Sequence, residues 1–464
     1  MENNPIRYYS TNRNREPDGG FSPFRELVAF KDALLMGQAP DGGLFVPTVI
    51  PRLEPGTMAS LAGKSYVETA FTIASAFLRD DITRDALRII VEDAYPFGVP
   101  LENVYDRKYV MRLDQGPTAS FKDFAARMMA RLMSHFRDKG VRLNVLVATS
   151  GDTGSAVGEA FKGVDGIDVK ILYPKGEVSG RQKQQLDTIG GNVQAISVEG
   201  KFDDCQNLVK DAFSDPDLAR FHLTSANSIN FGRILPQIVY YVYAYAQLSD
   251  GNEEMVVSVP SGNFGNALGC EYARRMGLPV RRLLMPTNEN DEFPRFLDSG
   301  AYKKVSPSRA CLSNAMNVGN PSNLARFFEL YGGTVDRSGV VHRVPDVPKM
   351  RERIYSVSVT DAVTKETIEK AYRQYGLLLE PHGAVGWRGL EVFLENAGDF
   401  PLCVSLETAH PAKFPDEIKE LLGIEPELPA SMKDIDQRRG EPDELTGDYG
   451  EFKSYLLDTL AERA

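Results

Sequence analysis

A lysine set among aromatic residues is the first place in this chain where chemistry could sit. The segment Gly116-Pro117-Thr118-Ala119-Ser120-Phe121-Lys122-Asp123-Phe124 places Lys122 between two phenylalanines. Ser120, followed three residues later by Asp123 and then by the apolar Phe124, Ala125, Met128 and Leu132, fits a capping box. That pattern predicts Lys122 in the first turn of a helix. Burial and the positive end of the helix would both lower the pKa of such an amine. A lysine that sheds its proton is what Schiff-base chemistry requires. A surface lysine that snorkels fits the same segment, which on its own does not choose between the two.

Two glycine-rich corners come next. Thr149-Ser150-Gly151-Asp152-Thr153-Gly154 follows an apolar run and precedes a helical one, so backbone N–H groups and the hydroxyls of Ser150 and Thr153 could face an anion. A plain strand-to-helix turn capped by Asp152 is the alternative. Ser261-Gly262-Asn263-Phe264-Gly265-Asn266 has the same logic and the same alternative. Two such corners together with a sandwiched lysine say more than one, because ligands of open α/β sheets collect at the carboxyl ends of strands. Glu407-Thr408-Ala409-His410-Pro411-Ala412-Lys413-Phe414 follows another apolar run. Thr408 could present a neutral hydroxyl there, while His410 and Lys413 could simply support a turn. Thr224-Ser225-Ala226-Asn227-Ser228-Ile229-Asn230 heads a tyrosine-rich segment and offers uncharged donors or helix caps.

Strands and helices must hold these residues. Asn144–Ala148, Val169–Tyr173, Val193–Val198, Met255–Val259, Val280–Met285 and Pro401–Leu406 read as short buried strands, with helices between them such as Ser155–Phe161 and Arg181–Thr188. Such alternation predicts an α/β fold, with two open parallel-sheet lobes covered on both faces and a cleft between them. The expected organisation is an N-terminal cap region (1–104), a first lobe carrying the lysine and the first glycine corner (105–250), a second lobe carrying the other corner (251–420), and a C-terminal docking arm (421–464). Helical periodicity is expected from Phe24 to Met36 in the cap. An amphipathic helix is expected near the end, with Phe452, Tyr455, Leu456 and Leu460 on one side.

Composition narrows the partners. Of 464 residues, 42% are apolar and 25% charged, which rules out disordered and collagen-like classes. Lys plus Arg number 53 against 64 Asp plus Glu, a net charge of −11, which argues against nucleic-acid or membrane-surface binding. Cys205, Cys270, Cys311 and Cys403 are scattered, with no C-x-x-C and no nearby histidine, so no metal site is expected. The uncharged stretch Ile234–Ser249 is too short to span a bilayer, and no signal peptide is visible, so a cytoplasmic protein is expected. H-E-x-x-H and G-x-S-x-G are both lacking.

Taken in order, these segments resemble the threonine synthase family, pyridoxal-phosphate enzymes of fold type II (tryptophan-synthase-β-like). The resemblance runs from Tyr8-Tyr9-Ser10-Thr11 and the Ala39–Pro47 turn through the lysine segment and both glycine corners. It continues through Thr287-Asn288-Glu289-Asn290-Asp291, Asn320-Pro321-Ser322-Asn323, Glu380-Pro381-His382-Gly383-Ala384-Val385 and Thr408–Phe414. It implies that Lys122 bonds to pyridoxal 5'-phosphate, that Gly262, Asn263, Phe264, Gly265 and Asn266 cradle the cofactor phosphate, and that Thr408 meets the pyridine nitrogen. It further implies that Ser150, Gly151, Asp152 and Thr153 hold the substrate carboxylate, with Asp152 where many relatives carry Asn. Asn227, Ser228 and Asn230 become candidates for the substrate phosphate. Asn317 stands where the family favours Asp. The implied activity converts O-phospho-L-homoserine and water to L-threonine and phosphate, by a monomer or homodimer that needs no nucleic acid or membrane. Rival readings are another fold-type-II lyase, such as a serine/threonine dehydratase or an amino-acid phospholyase, and a non-catalytic metabolite-binding relative, against which Lys122 argues.

Overall fold

The computed structural model describes residues 5–17, 20–149, 151–251, 253–398, 400 and 402–461. Two sheets organise the chain. The smaller has five strands in the order Asp443–Leu445, Val193–Val198, Ile167–Pro174, Leu143–Ala148, Leu223–Ser225, every neighbouring pair parallel. The larger has six strands in the order Ile354–Tyr355, Val280–Leu284, Met255–Ser258, Leu402–Glu407, Lys108–Arg112, Leu101–Tyr105. Its pairs are parallel except the last, a hairpin. Leu143–Ala148, Ile167–Pro174 and Leu402–Glu407 are buried along their whole length, as strands covered on both faces must be.

The boundaries differ from expectation in two places. Lys108–Arg112 falls in the segment assigned to the first lobe, yet it pairs with Leu402–Glu407 in the larger sheet. Asp443–Leu445, from the C-terminal arm, adds an edge strand to the smaller sheet beside Val193–Val198. Both pairings join segments far apart in sequence, and nothing local specifies the partner of a short strand. The arm then buries Phe452, Leu456 and Leu460 of the helix Tyr449–Ala461 against Leu146, Leu172, Ile196 and Leu208. Each such side chain contributes roughly 1.5–3 kcal/mol.

In the cap, the helix covers only Phe30–Met36 rather than Phe24–Met36. Val28 and Tyr8 exchange backbone hydrogen bonds of 2.8 and 2.9 Å, and Phe24 N–H donates to Asp41 at 2.8 Å. The residues before Phe30 are thus drawn into extended pairing. The helix Lys122–Phe136 is buried nearly all round, lying among the cap helices and the apolar helix Leu235–Leu248. That last helix spans 14 residues. Among the described residues no helix is long and apolar enough to cross a membrane.

Candidate active site

The carboxyl ends of both sheets open onto one cavity of about 100 Å³. Lys122, Asp152, Thr153, Asn227, Ser228, Gly262, Asn263, Phe264, Gly265, Asn266 and Thr408 all line it, with Arg233 and His382. A wider vestibule of about 370 Å³ shares Asn227, Ser228 and Asn263 with it and reaches out to Lys304 and Arg337. Gly151 lies just behind the wall, and Ser150 lies outside the described residues. Asn230 does not join the site. Its amide donates to Leu34 and Ser225 carbonyls at 2.8 and 3.0 Å and its oxygen accepts from Gly232 N–H, so it braces the turn instead.

Lys122 begins its helix, but Ser120 does not cap it. The N-terminal position is Phe121, which makes no side-chain cap, and Ser120 Oγ has no partner among the described residues. Asp123 turns back to accept from Thr118 N–H at 2.9 Å and Thr118 Oγ1 at 2.7 Å. The reason is tertiary. Residues 119–121 pair across to 408–410, with Phe121 N–H to Thr408 O at 2.9 Å and His410 N–H to Ala119 O at 3.0 Å. This bridge fixes Lys122 and Thr408 on the same wall, and it holds Ala119 at φ +54°.

Lys122 is 9% exposed. Burial lowers its pKa, Asp152 opposes that, and the positive charges of Lys413 and Arg233 reinforce it. Asp152 Oδ2 lies 3.6 Å from Lys122 Nζ, and its Oδ1 lies 2.6 Å from Lys413 Nζ and 3.0 Å from Gln182 Nε2. Burial alone would push the Asp152 carboxyl up, but the two ammonium groups hold it well below the usual carboxylate range. At this corner Thr149 Oγ1 already takes the N–H groups of Gly151 and Gly154, at 3.0 and 2.9 Å. The donors left toward the cavity are those of the first helical turn at Asp152 and Thr153.

The second corner carries no charge. Phe264 adopts φ +62° and hands the chain to the helix Gly265–Met276, whose first N–H groups have no preceding carbonyl to bond. A Cβ on Gly262 would come within 2.9 Å of Met316 Cα and 3.1 Å of Ala315 O, so the loop is as close-fitting as a phosphate cradle requires. Tyr240 and Tyr241 both hold Asn266 Oδ1, leaving its Nδ2 buried without a partner among the described residues.

Behind Thr408 stands a buried carboxylate pair. Thr408 Oγ1 lies 3.5 Å from Glu380 Oε1, and Glu380 Oε2 receives His382 Nδ1 at 2.5 Å. His382 Nε2 accepts from Ala315 N–H at 3.0 Å, so its proton sits on Nδ1. Glu407 accepts from Glu380 N–H at 2.8 Å; burial and the neighbouring Glu380 charge push its pKa up. A Cβ on Gly383 would meet Glu407 Oε2 at 1.5 Å, so only glycine fits there.

The matched regions decide the family. Residues 7–95 match the family described as "Threonine synthase N terminus", 100–401 "Pyridoxal-phosphate dependent enzyme", and 383–456 "Threonine synthase, C-terminal". Threonine synthase from Haemophilus influenzae is 40% identical over 93% of this chain and 97% of its own. The chain belongs to the threonine synthase family. Its fold agrees with the crystal structure of threonine synthase from Escherichia coli at TM-score 0.86 and 34% identity, over 98% of this chain and all of that one. Pyridoxal-phosphate-bound threonine synthase from Brucella melitensis superimposes at TM-score 0.87 and 36% identity, over 97% and 98% of the two chains. The cofactor of the family is pyridoxal phosphate, and the cavity fits it: a buried lysine, a glycine cradle and an Asn266 donor unpartnered among the described residues.

Residues not anticipated as site residues also line or support this cavity. Arg233 is 4% exposed, donates to Ala226 O at 2.7 Å, and leaves Nε without a partner among the described residues. Burial brings its pKa down to about 10, against the attraction of Asp123 and Tyr240, so it stays charged near neutrality. Its signal in the sequence is a lone cation heading an otherwise uncharged segment, Ile234–Ser249. Asn317 accepts from Asn288 Nδ2 at 2.9 Å and Cys311 N–H at 3.2 Å, and it donates to Cys311 O at 3.4 Å. An amide serves both directions, which an ionised carboxylate cannot.

Proposed function

We propose that this chain converts O-phospho-L-homoserine and water to L-threonine and phosphate, with Lys122 as the lysine bonded to pyridoxal phosphate. One observation carries the reading: a buried lysine shares a cavity with an arginine whose Nε is unpartnered among the described residues. The cofactor, when bound, supplies an electron sink for charge developing at the substrate α-carbon. Gly262 to Asn266 would hold its phosphate through backbone N–H groups, and the Thr408 hydroxyl, backed by Glu380, would hold its ring nitrogen.

The substrate carboxylate binds at the first turn of Asp152 and Thr153, where Lys413 offsets the Asp152 charge. Arg233, with Asn227 and Ser228, receives the substrate phosphate; a charged, desolvated hydrogen bond of this kind contributes about 1.5–3 kcal/mol. Lys122 Nζ would serve as the local base and acid: the α-proton and a β-proton leave, the γ-phosphate departs, a proton is returned to the γ-carbon, which becomes the methyl group, water adds at the β-carbon, and a proton is returned to the α-carbon. The enzyme would act as a monomer or homodimer. Four free buried cysteines suit a reducing, cytoplasmic setting. Incubation with O-phospho-L-homoserine, assaying both products, tests the reading: threonine and phosphate in equal amounts are expected, whereas a 2-oxo acid and ammonia would show a dehydratase.

A further inference from the structure

Lys413 is fully buried, yet it does not line the cavity. Its ammonium donates to Thr118 O at 3.0 Å and lies 2.6 Å from Asp152 Oδ1. The other oxygen of that carboxylate faces Lys122 Nζ at 3.6 Å. One buried carboxylate is therefore shared between two lysines, and one of them must lose its charge to react. We propose that Lys413 is a positioning residue that occupies Asp152 as a permanent ion pair and so frees Lys122 to become a neutral amine. The inference rests on Lys122 being the cofactor lysine, as proposed above.

The charge count supports it. With Lys413 present, Asp152 and Lys413 neutralise each other, and a proton on Lys122 adds an uncompensated buried charge. Without Lys413, Asp152 and protonated Lys122 form the neutral pair, and attraction in a dry site holds the proton on the nitrogen that must react. Burial already lowers the Lys122 pKa, and the Lys413 charge works in the same direction. The other charged or titratable groups facing Lys122 are engaged elsewhere. Glu380 receives His382 and Gly383, Asp123 receives Thr118, and Arg233 is bonded to Ala226 O. The reaction at stake is a condensation. Neutral Nζ adds to the aldehyde carbon, a carbon–nitrogen double bond replaces the carbon–oxygen one, and the oxygen leaves with both amine protons as one water.

The test follows cofactor uptake by the apoenzyme against pH, read as growth of the Schiff-base absorption near ~410–420 nm, so it needs no turnover. Lys413→Met should move the midpoint of uptake alkaline by about one pH unit, roughly tenfold slower at neutrality. Asp152→Asn, which leaves two unneutralised lysines, should move it acid. The double variant should return it close to the wild-type value. A lysine that merely supports the turn would change stability and leave the midpoint in place, and that result overturns the proposal. If Lys413→Met fails to fold, Asp152→Asn alone decides: an acid shift supports, an unmoved or alkaline midpoint overturns. A wild-type apoenzyme that forms no such band refutes the Lys122 assignment itself, and the inference falls with it.

Discussion

Gly151–Gly154 and Gly262–Gly265 each carry the chain from a buried parallel strand into a helix, and both lie at the same cavity, yet their electrostatics differ. The second corner offers backbone N–H groups and no ionised side chain, so it can receive a phosphate without displacing a resident charge. The first holds a buried carboxylate beside two lysines. On the reading proposed above, anion binding there would depend on Lys413 balancing Asp152. Similar backbone grammar thus yields a neutral cradle in one sheet and a charge-compensated cluster in the other. If Lys122 is the reactive amine, as proposed above, reactivity belongs to the cluster, because that is where a proton has to be moved.

The largest effect should come from the charged side. Lys122→Ala removes the only lysine on the cavity wall among the described residues, and threonine formation should fall by at least ~10³-fold, with loss of the Schiff-base absorption on adding cofactor. A variant that keeps the absorption would assign the reactive amine elsewhere and dissolve the contrast between the corners. The pH sensitivity of the fold should also trace to this side. Burial raises the Asp123 carboxyl to about 6 from the ordinary 3.8, against the Thr118 hydrogen bonds that lower it. A carboxyl whose pKa is raised in the folded state contributes stability that is complete below about 4 and lost as pH rises through about 6. Asp123→Asn removes that titration. The stability of wild type relative to the variant should therefore fall by about 2 kcal/mol between pH 4 and pH 7, measured by urea unfolding of the apoprotein. A pH-independent difference would place the sensitivity elsewhere.

Arg233→Met probes the ground between the corners. It should lower kcat/KM for the phosphorylated substrate roughly 30-fold, about 2 kcal/mol, mainly through KM, with little change in cofactor uptake. An equal loss in cofactor affinity would move Arg233 from the substrate phosphate to the cofactor's and erase the division of labour argued here.

How much of this was legible in sequence follows the range of the forces involved. Strands such as Val193–Val198 announce themselves through local apolar runs, and the glycine corners through residue types that their close approaches demand. Lys122 was readable because a cation between two phenylalanines is locally odd. The capping box at Ser120 misled because the bridge to Ala409, nearly three hundred residues away, outweighs a local cap. Lys413 read equally well as turn support, and its contact with Asp152 exists only once the two sheets meet. The partner of Lys108–Arg112 escaped for the same reason. The family likeness supplied roles for whole motifs; it did not supply this charge arithmetic.

The smallest effect is expected at the neutral corner, where it is also the most diagnostic. Gly262→Ala adds one Cβ that would approach Met316 Cα to 2.9 Å and Ala315 O to 3.1 Å. Backbone atoms on a 3-10 turn, Asn314–Met316, cannot swing aside as a long side chain can, so the cradle itself must widen. Cofactor affinity should drop about tenfold, near 1.4 kcal/mol, since one methyl perturbs hydrogen bonds without abolishing them. The pH midpoint of uptake should stay where it is, because no charge has changed. Spectrophotometric titration of the apoenzyme at several pH values separates the two quantities. A shifted midpoint would mean that the neutral corner communicates with the Lys122 proton, and the two corners would then be one electrostatic unit rather than two.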